Sequence, residues 1–341
     1  MMHSLPIHQA VGCVLAHDVT RIVPGRSKGP AFKKGHIVRE QDIEPLLDMG
    51  KANIYVLKLS SDQVHEDDAA RRIAAAAAGP GLKMSLPAEG RINLIAEFPG
   101  LLKVDVPALR SLNTIQDVVF ATLHSNHRVD AGQPVAGTRV IPLAVPERLV
   151  AEAEMVCRRN QPLIALKSFD ALRVGMIVTG CEVFLGRIKD QFGPVVDKKF
   201  KALGSSITRR IYVSDDVART VEAVRSLMED GVQMVVLTGG MSVDPDDLTA
   251  TGIRSAGAEV VTYGAPTFPG AMFMLAYIGD VPVLGLPGCV MYHRTSIFDL
   301  VVPRLMAGER LLHEDIAGLG HGGFCVGCTE CRYPVCGFGK A

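Results

Sequence analysis

From residue 172 onward, apolar runs of strand length alternate with amphipathic helical stretches: RVGMIVTG, PVVDKKFKALG, ITRRIYVSDD, VARTVEAVRSLMEDG, QMVVLTGG, DLTATGIRSAG and AEVVTYG. A strand that is apolar on both sides of its pleat has to be buried on both faces. Helices lying between such strands in sequence are what covers them. VPVLGLPG adds another buried strand with a turn, and MYHRTSIFDLVVPRLMAG reads as a closing helix. The expected fold is therefore α/β, a three-layer α/β/α domain on a mostly parallel sheet over 168–312.

Upstream, the pattern is mixed. Residues 1–60 read as a small β-rich module, with strand-like GCVLAHDV and NIYVLKL around a helical EQDIEPLLDMGK that Gly50 closes. Residues 61–150 read as an α+β module. It opens on HEDDAARRIAAAAAGPG, a helix whose first-turn acids suit the positive end of the dipole. His65, Glu66, Asp67 and Asp68 are taken as that helix start, not as a metal site. Pro142 and Pro146 mark a linker, and 151–167 is expected to be a connecting helix. His124 and His127 have metal-pair spacing but no further ligands nearby, so a surface loop is expected there. The tail, 313–341, is set apart by its cysteines.

Lys+Arg and Asp+Glu both number 36, so the formal charge is zero and no global field favours nucleic acid. Trp is absent and aromatics make up 5%, which weakens base stacking as a binding mode. No apolar run reaches the roughly 20 residues that span a bilayer, and MMHSLPIHQA lacks the pattern of a signal peptide. A cytoplasmic location without membrane partners is expected. Cys13, Cys157 and Cys181 read as core or turn residues.

In open α/β sheets, ligands bind beyond the carboxyl ends of the strands. Three such ends carry unusual residues: Thr179-Gly180-Cys181-Glu182, the stretch VVLTGGMSVDPDD, and Leu286-Pro287-Gly288-Cys289. Gly239 and Gly240 let backbone amides approach a bound group, Ser242 adds a hydroxyl, and amides near a helix start suit a phosphate. Asp244, Asp246 and Asp247 would repel a bare phosphate. A Mg²⁺ ion or a ligand rich in N–H donors resolves that conflict. Asp246 and Asp247 also suit a helix start at DLTATGIRSAG.

Thr238-Gly239-Gly240, Ser242 and Asp247 fit the pattern TGG-x-S-x-x-x-x-D. With the TG-x-E turn and the LPG turn in this order, residues 168–310 resemble the molybdopterin-binding domain. That domain is shared by molybdopterin adenylyltransferases and molybdopterin molybdotransferases of molybdenum cofactor biosynthesis. The resemblance implies that Asp247 is the critical, catalytic acid. It implies pterin contacts for Thr179, Gly180, Glu182, Asp215, Thr238, Gly239, Gly240, Ser242, Pro287 and Gly288. AVGCVLAHDV and KKGHIVREQDIEPLLDMG resemble, more loosely, the opening of molybdotransferases. Three departures stand against full equivalence. The Asp-Gly-Tyr-Ala element is absent, the PGKP turn reads Pro269-Gly270-Ala271-Met272 without its lysine, and LPGNP reads Leu286-Pro287-Gly288-Cys289-Val290.

The C-terminus reads HGGFCVGCTECRYPVCGFGK, with Cys325, Cys328, Cys331 and Cys336 spaced C-x2-C-x2-C-x4-C. Its first three cysteines resemble the run of bacterial ferredoxins, and tetrathiolate zinc has similar needs. An iron–sulfur cluster or Zn²⁺ is expected on these four residues, with His321 a loop residue. Metal would also supply the order that so short a tail cannot gain by burial alone.

Together these features point to a protein that binds molybdopterin, its adenylylated form or the finished cofactor, and acts in molybdate insertion or delivery. As an enzyme it would be a molybdotransferase-like transferase. The missing lysine instead favours a non-catalytic carrier whose cysteine tail docks a client molybdoenzyme or senses redox state. A nucleotide pyrophosphate hydrolase on the same fold is a third reading. Homo-oligomerisation is compatible with all three.

Overall fold

The structure, a computed structural model of the chain, describes residues 2–23, 27–57, 59–160, 162–242 and 247–340; side chains at 2, 3, 20–30 and 57 fall outside that description. The chain divides into two compact units. The first comprises 1–98, 102–125 and 129–166, and the second comprises 99–101, 126–128 and 167–341.

In the second unit a six-stranded sheet is built from β1 (Arg173–Thr179), β2 (Ser206–Val213), β3 (Met234–Thr238), β4 (Glu259–Tyr263), β5 (Met274–Ile278) and β6 (Val281–Leu286). Its strand order is β2-β1-β3-β6-β5-β4. The neighbours β2, β1, β3 and β6 pair in parallel, while β5 pairs antiparallel with both β6 and β4. The expected three-layer arrangement is present. Side chains alternate along the strands, as a pleat requires. Val174, Met176, Val178, Met234 and Val236 pack with Val196 and Phe200 of α1 (Phe192–Lys201) and with Ile297, Phe298 and Val301. Ile177, Val235 and Leu237 pack on the opposite face, with Val224 and Leu227 of α2 (Val217–Glu229) and Ile253 of α3 (Thr249–Ser255).

The closing segment is not one helix. It forms α4 (Cys289–Tyr292) and α5 (Ile297–Met306), because Ser296 and Asp299 make a capping box that starts a new helix. Strand β5 was not anticipated. The two-residue turn Gly279-Asp280, with Gly279 at φ +59°, folds it back onto β6.

The registers decide where a site can form. Val178 lies opposite Thr238, and Thr238 opposite Leu286. The ends of β1, β3 and β6 are therefore level, and the loops that follow them emerge side by side.

The first unit holds a three-stranded antiparallel sheet (Met2–Pro6, Asn53–Leu57, Val14–Leu15) with its own small core around Ile7, Leu15, Leu46 and Val56. It also holds a four-stranded antiparallel sheet (Val118–Thr122, Pro134–Val140, Arg91–Ala96, Leu82–Met84). Helix Glu66–Ala77 covers that second sheet, capped by the His65 ring, which accepts from the Asp67 amide. The segment expected to connect over 151–167 holds the end of helix Glu147–Arg159. Leu149, Val150, Ala153 and Cys157 of that helix are buried in the first unit's core. Burial there pushes the Cys157 thiol up to about 11. His127 departs from the surface-loop expectation: it is 6% exposed on strand His127–Val129, whereas His124 is exposed. Among the described residues no helix is long and apolar enough to cross a membrane.

Candidate functional site

Beyond the level strand ends lies a cavity of about 540 Å³. Its lining includes Gly239, Gly240, Ser242 and Asp247 from the loop after β3, and Leu286, Pro287, Gly288 and Cys289 from the end of β6. A third wall, Phe268–Met272, comes from the connection between β4 and β5, and Phe192 closes it from the start of α1.

Local chemistry explains why the β3 loop takes this form. Gly239 and Gly240 sit at φ +85° and +53°, a region that side-chain-bearing residues adopt only with strain. A Cβ on Gly239 would also collide with the Thr179 carbonyl oxygen. The loop is latched by three threonines. Thr249 Oγ1 donates to the Gly239 carbonyl at 2.9 Å and meets Thr179 Oγ1 at 2.9 Å, while Thr179 Oγ1 donates to the Thr238 carbonyl at 3.2 Å. Asp247 Oδ2 accepts from the Ser242 amide at 2.9 Å, so the acid braces the loop from inside the cavity. The expected helix start falls later than Asp247, at Thr249, with Leu248 at the cap. Asp244 and Asp246 lie outside the described residues.

The residues singled out from sequence fall into two groups. Gly239, Gly240, Ser242, Asp247, Pro287 and Gly288 share the cavity. Thr179 and Thr238 are buried beneath it, as part of the latch. Gly180, Glu182 and Asp215 belong to a neighbouring turn. There the Asp215 carboxylate accepts the Cys181 amide at 2.8 Å, and Glu182 is exposed. Cys181 is exposed as well, at the first residue of a one-turn helix. None of these four lines the cavity. Sequence reasoning missed Phe192, Met241 and Phe268 as lining residues. They carry no motif, and only the fold brings Phe192 to the loop.

The cavity's electrostatics are simple. Its described lining has one carboxylate, Asp247, and no Lys, Arg or His; Ala271 stands where a lysine would supply a cation. Burial pushes the Cys289 thiol up, so at neutral pH it is a protonated, soft-walled neighbour and not a thiolate. A larger cavity of about 800 Å³, lined by Lys198, Lys199, Tyr292 and Asp299 among others, contains none of the motif residues. Size alone therefore does not identify the site. Among the described residues no three His, Cys, Asp or Glu side chains are gathered to hold a single metal ion.

The tail residues Cys325, Cys328, Cys331 and Cys336 are all free thiols and line one separate cavity of about 250 Å³.

Comparison with known proteins bears on both halves of the chain. Residues 175–307 match the family model described as a probable molybdopterin binding domain, and residues 4–58 match one described as a domain of unknown function (DUF8806). A CinA-like protein of Mycobacterium sp. (strain JLS) is 37% identical over 90 residues, 26% of this chain and 21% of the relative. Its counterpart in Mycobacterium tuberculosis (strain ATCC 25618 / H37Rv) is 32% identical over 90 residues, with the same shares. The chain thus spans 21% of the length of these relatives. Among solved structures, the tungsten cofactor synthesizing protein MoaB from Pyrococcus furiosus aligns with a TM-score of 0.35 at 20% identity, covering 41% of this chain and 98% of that one. The molybdopterin biosynthesis moea protein from Pyrococcus horikosii also aligns with a TM-score of 0.35, at 16% identity, covering 90% of this chain and 75% of that one. Over residues 175–307 the chain is thus similar to the probable molybdopterin binding domain family.

Proposed function

We propose that the chain binds molybdopterin, its adenylylated form or the finished molybdenum cofactor in the cavity beyond β3 and β6, and serves in the maturation or delivery of that cofactor. One observation carries this reading: a cavity of about 540 Å³ with a glycine-rich loop on one side and, among its described lining, one carboxylate, Asp247. Backbone amides that glycine leaves uncovered suit a phosphate. A carboxylate suits the N–H groups of a pterin, and Phe192 and Phe268 offer apolar faces to a planar ring.

The same lining favours delivery over insertion. Passing molybdate to a phosphorylated pterin concentrates negative charge, and such chemistry is ordinarily stabilised by fixed cations. Here the position of the turn lysine is Ala271 and the described lining has no cation. The chain's own contribution is to bind, orient and shield the ligand, and a client molybdoenzyme would receive it.

Full-length protein purified from a host that makes the cofactor tests this directly. Mass spectrometry should find a bound pterin, and incubation with adenylylated molybdopterin and molybdate should give no product. Absence of pterin, together with no binding on titration of the pure ligand, would overturn the reading. Turnover would overturn its delivery half.

A further inference from the structure

The tail folds without helix or strand from Gly323 to Lys340, apart from a single bridge of Phe324 to Phe268, yet it brings four thiols to one cavity. The contacts that hold it are specific. The Phe268 amide donates to the Gly323 carbonyl and the Cys325 amide donates to the Phe268 carbonyl, both at 2.8 Å. Tyr333 donates its hydroxyl to the Asp299 carbonyl at 3.0 Å, and Phe338 is 4% exposed. Gly327 at φ +68° turns the chain between Cys325 and Cys328, and Thr295 Oγ1 lies 3.3 Å from Cys331 Sγ. The other wall is Tyr292, His293, Arg294 and Thr295.

Four cysteines around one cavity can serve three chemistries: paired disulfides, one ion, or a cluster. Disulfides need sulfurs in bonding contact, whereas all four are free. A single tetrathiolate ion needs every sulfur about 2.3 Å from one point, and no three ligating side chains among the described residues are gathered in that way. The four cysteines instead line, together with Tyr292, His293, Arg294, Thr295 and other tail residues, a cavity of about 250 Å³. A cuboidal core of iron and sulfide takes one thiolate at each iron, so it needs four thiolates around one space and no two on the same ion.

We propose that Cys325, Cys328, Cys331 and Cys336 ligate a four-iron, four-sulfide cluster. This assignment does not depend on what occupies the cavity beyond β3 and β6, and its readout is iron and sulfide, not pterin.

The test is full-length protein purified without oxygen and reconstituted with ferric iron and sulfide under thiol reductant, which leaves the iron in the mixed ferrous and ferric state the cluster needs. About four iron and four acid-labile sulfide per chain are expected, with broad thiolate-to-iron absorption that bleaches on reduction. Cys331→Ala and Cys328→Ala should each lose most of the iron while keeping the far-ultraviolet circular dichroism of the wild type. Cys289→Ala and Cys181→Ala should keep the cluster. One zinc per chain without sulfide, disulfides among the four in anaerobic protein, or full iron retained in Cys331→Ala would each overturn the proposal. Should Cys331→Ala fail to fold, the wild-type stoichiometry and Cys328→Ala decide.

Discussion

At the scale of single residues, Asp247 has two separable duties. Its Oδ2 braces the loop through the Ser242 amide, and its charge is the one carboxylate in the described cavity lining. Asn keeps an acceptor oxygen and loses the charge, whereas Ala loses both. If the charge recognises pterin N–H donors, Asp247→Asn should weaken ligand binding by roughly 10- to 150-fold, the loss of one charge-assisted bond of roughly 1.5–3 kcal/mol. Its melting temperature should stay near that of the wild type. Asp247→Ala should weaken binding further and lower the melting temperature as well. Titration calorimetry and thermal denaturation of both variants check this; equal affinities in Asp247→Asn and wild type would leave Asp247 a loop brace only. The glycines and the acid of this loop were legible in the sequence because their chemistry is local: a positive φ and a lone carboxylate each require a residue type. Phe192 and Phe268 were not, since an apolar wall can be made of any large side chain that the fold delivers.

At the scale of elements, the threonine latch joins β1, the loop after β3 and α3. Thr249→Val keeps the shape and removes the hydroxyl that donates to the Gly239 carbonyl and meets Thr179. The Gly239 carbonyl then loses its hydroxyl donor, so a destabilisation of about 1 kcal/mol is expected, read as a lower urea midpoint with unchanged slope. Helix Glu66–Ala77 carries the pH-dependent counterpart in the first unit. Glu66 is 6% exposed, and burial raises its carboxyl pKa in spite of Arg139 at 3.7 Å. A carboxyl raised on folding contributes stability at acid pH that is lost as pH climbs through the raised value. Glu66→Gln should therefore be more stable than wild type near about pH 8, with the gap closing toward about pH 4; urea titrations at the two pH values measure it. Strand and helix type were readable over most of the second unit because burial on both faces leaves unbroken apolar runs. Strand β5 is not legible in the sequence because MLAYI is just such a run, as ready to be helix as strand; the Gly279-Asp280 turn settles its direction. The break between α4 and α5 hid likewise in an apolar stretch, marked only by Ser296 and Asp299.

At the scale of the molecule, the candidate ligand cavity and the cysteine tail share a wall. Phe268 lines the cavity, and its backbone amide and carbonyl both bond the tail, to Gly323 and Cys325. Whatever orders the tail therefore steadies one side of the cavity, and a ligand that needs that side in place binds a tail-ordered molecule more tightly. The coupling has a ceiling. Two backbone hydrogen bonds at about 1 kcal/mol each limit it to roughly thirtyfold in affinity. A variant with all four tail cysteines replaced by alanine should thus bind pterin several-fold more weakly, while keeping the six-stranded sheet and its cooperative unfolding. Phe268→Gly removes the ring in either background, but the backbone freedom that glycine adds matters less once the tail no longer holds this wall, so its cost should be smaller in that variant than in the wild type. The two changes should be non-additive, as expected of groups acting through one element. Calorimetric affinities for wild type, each change alone and the combination form the cycle. Strict additivity would mean that the tail and the cavity, although adjacent along one strand of backbone, are energetically independent.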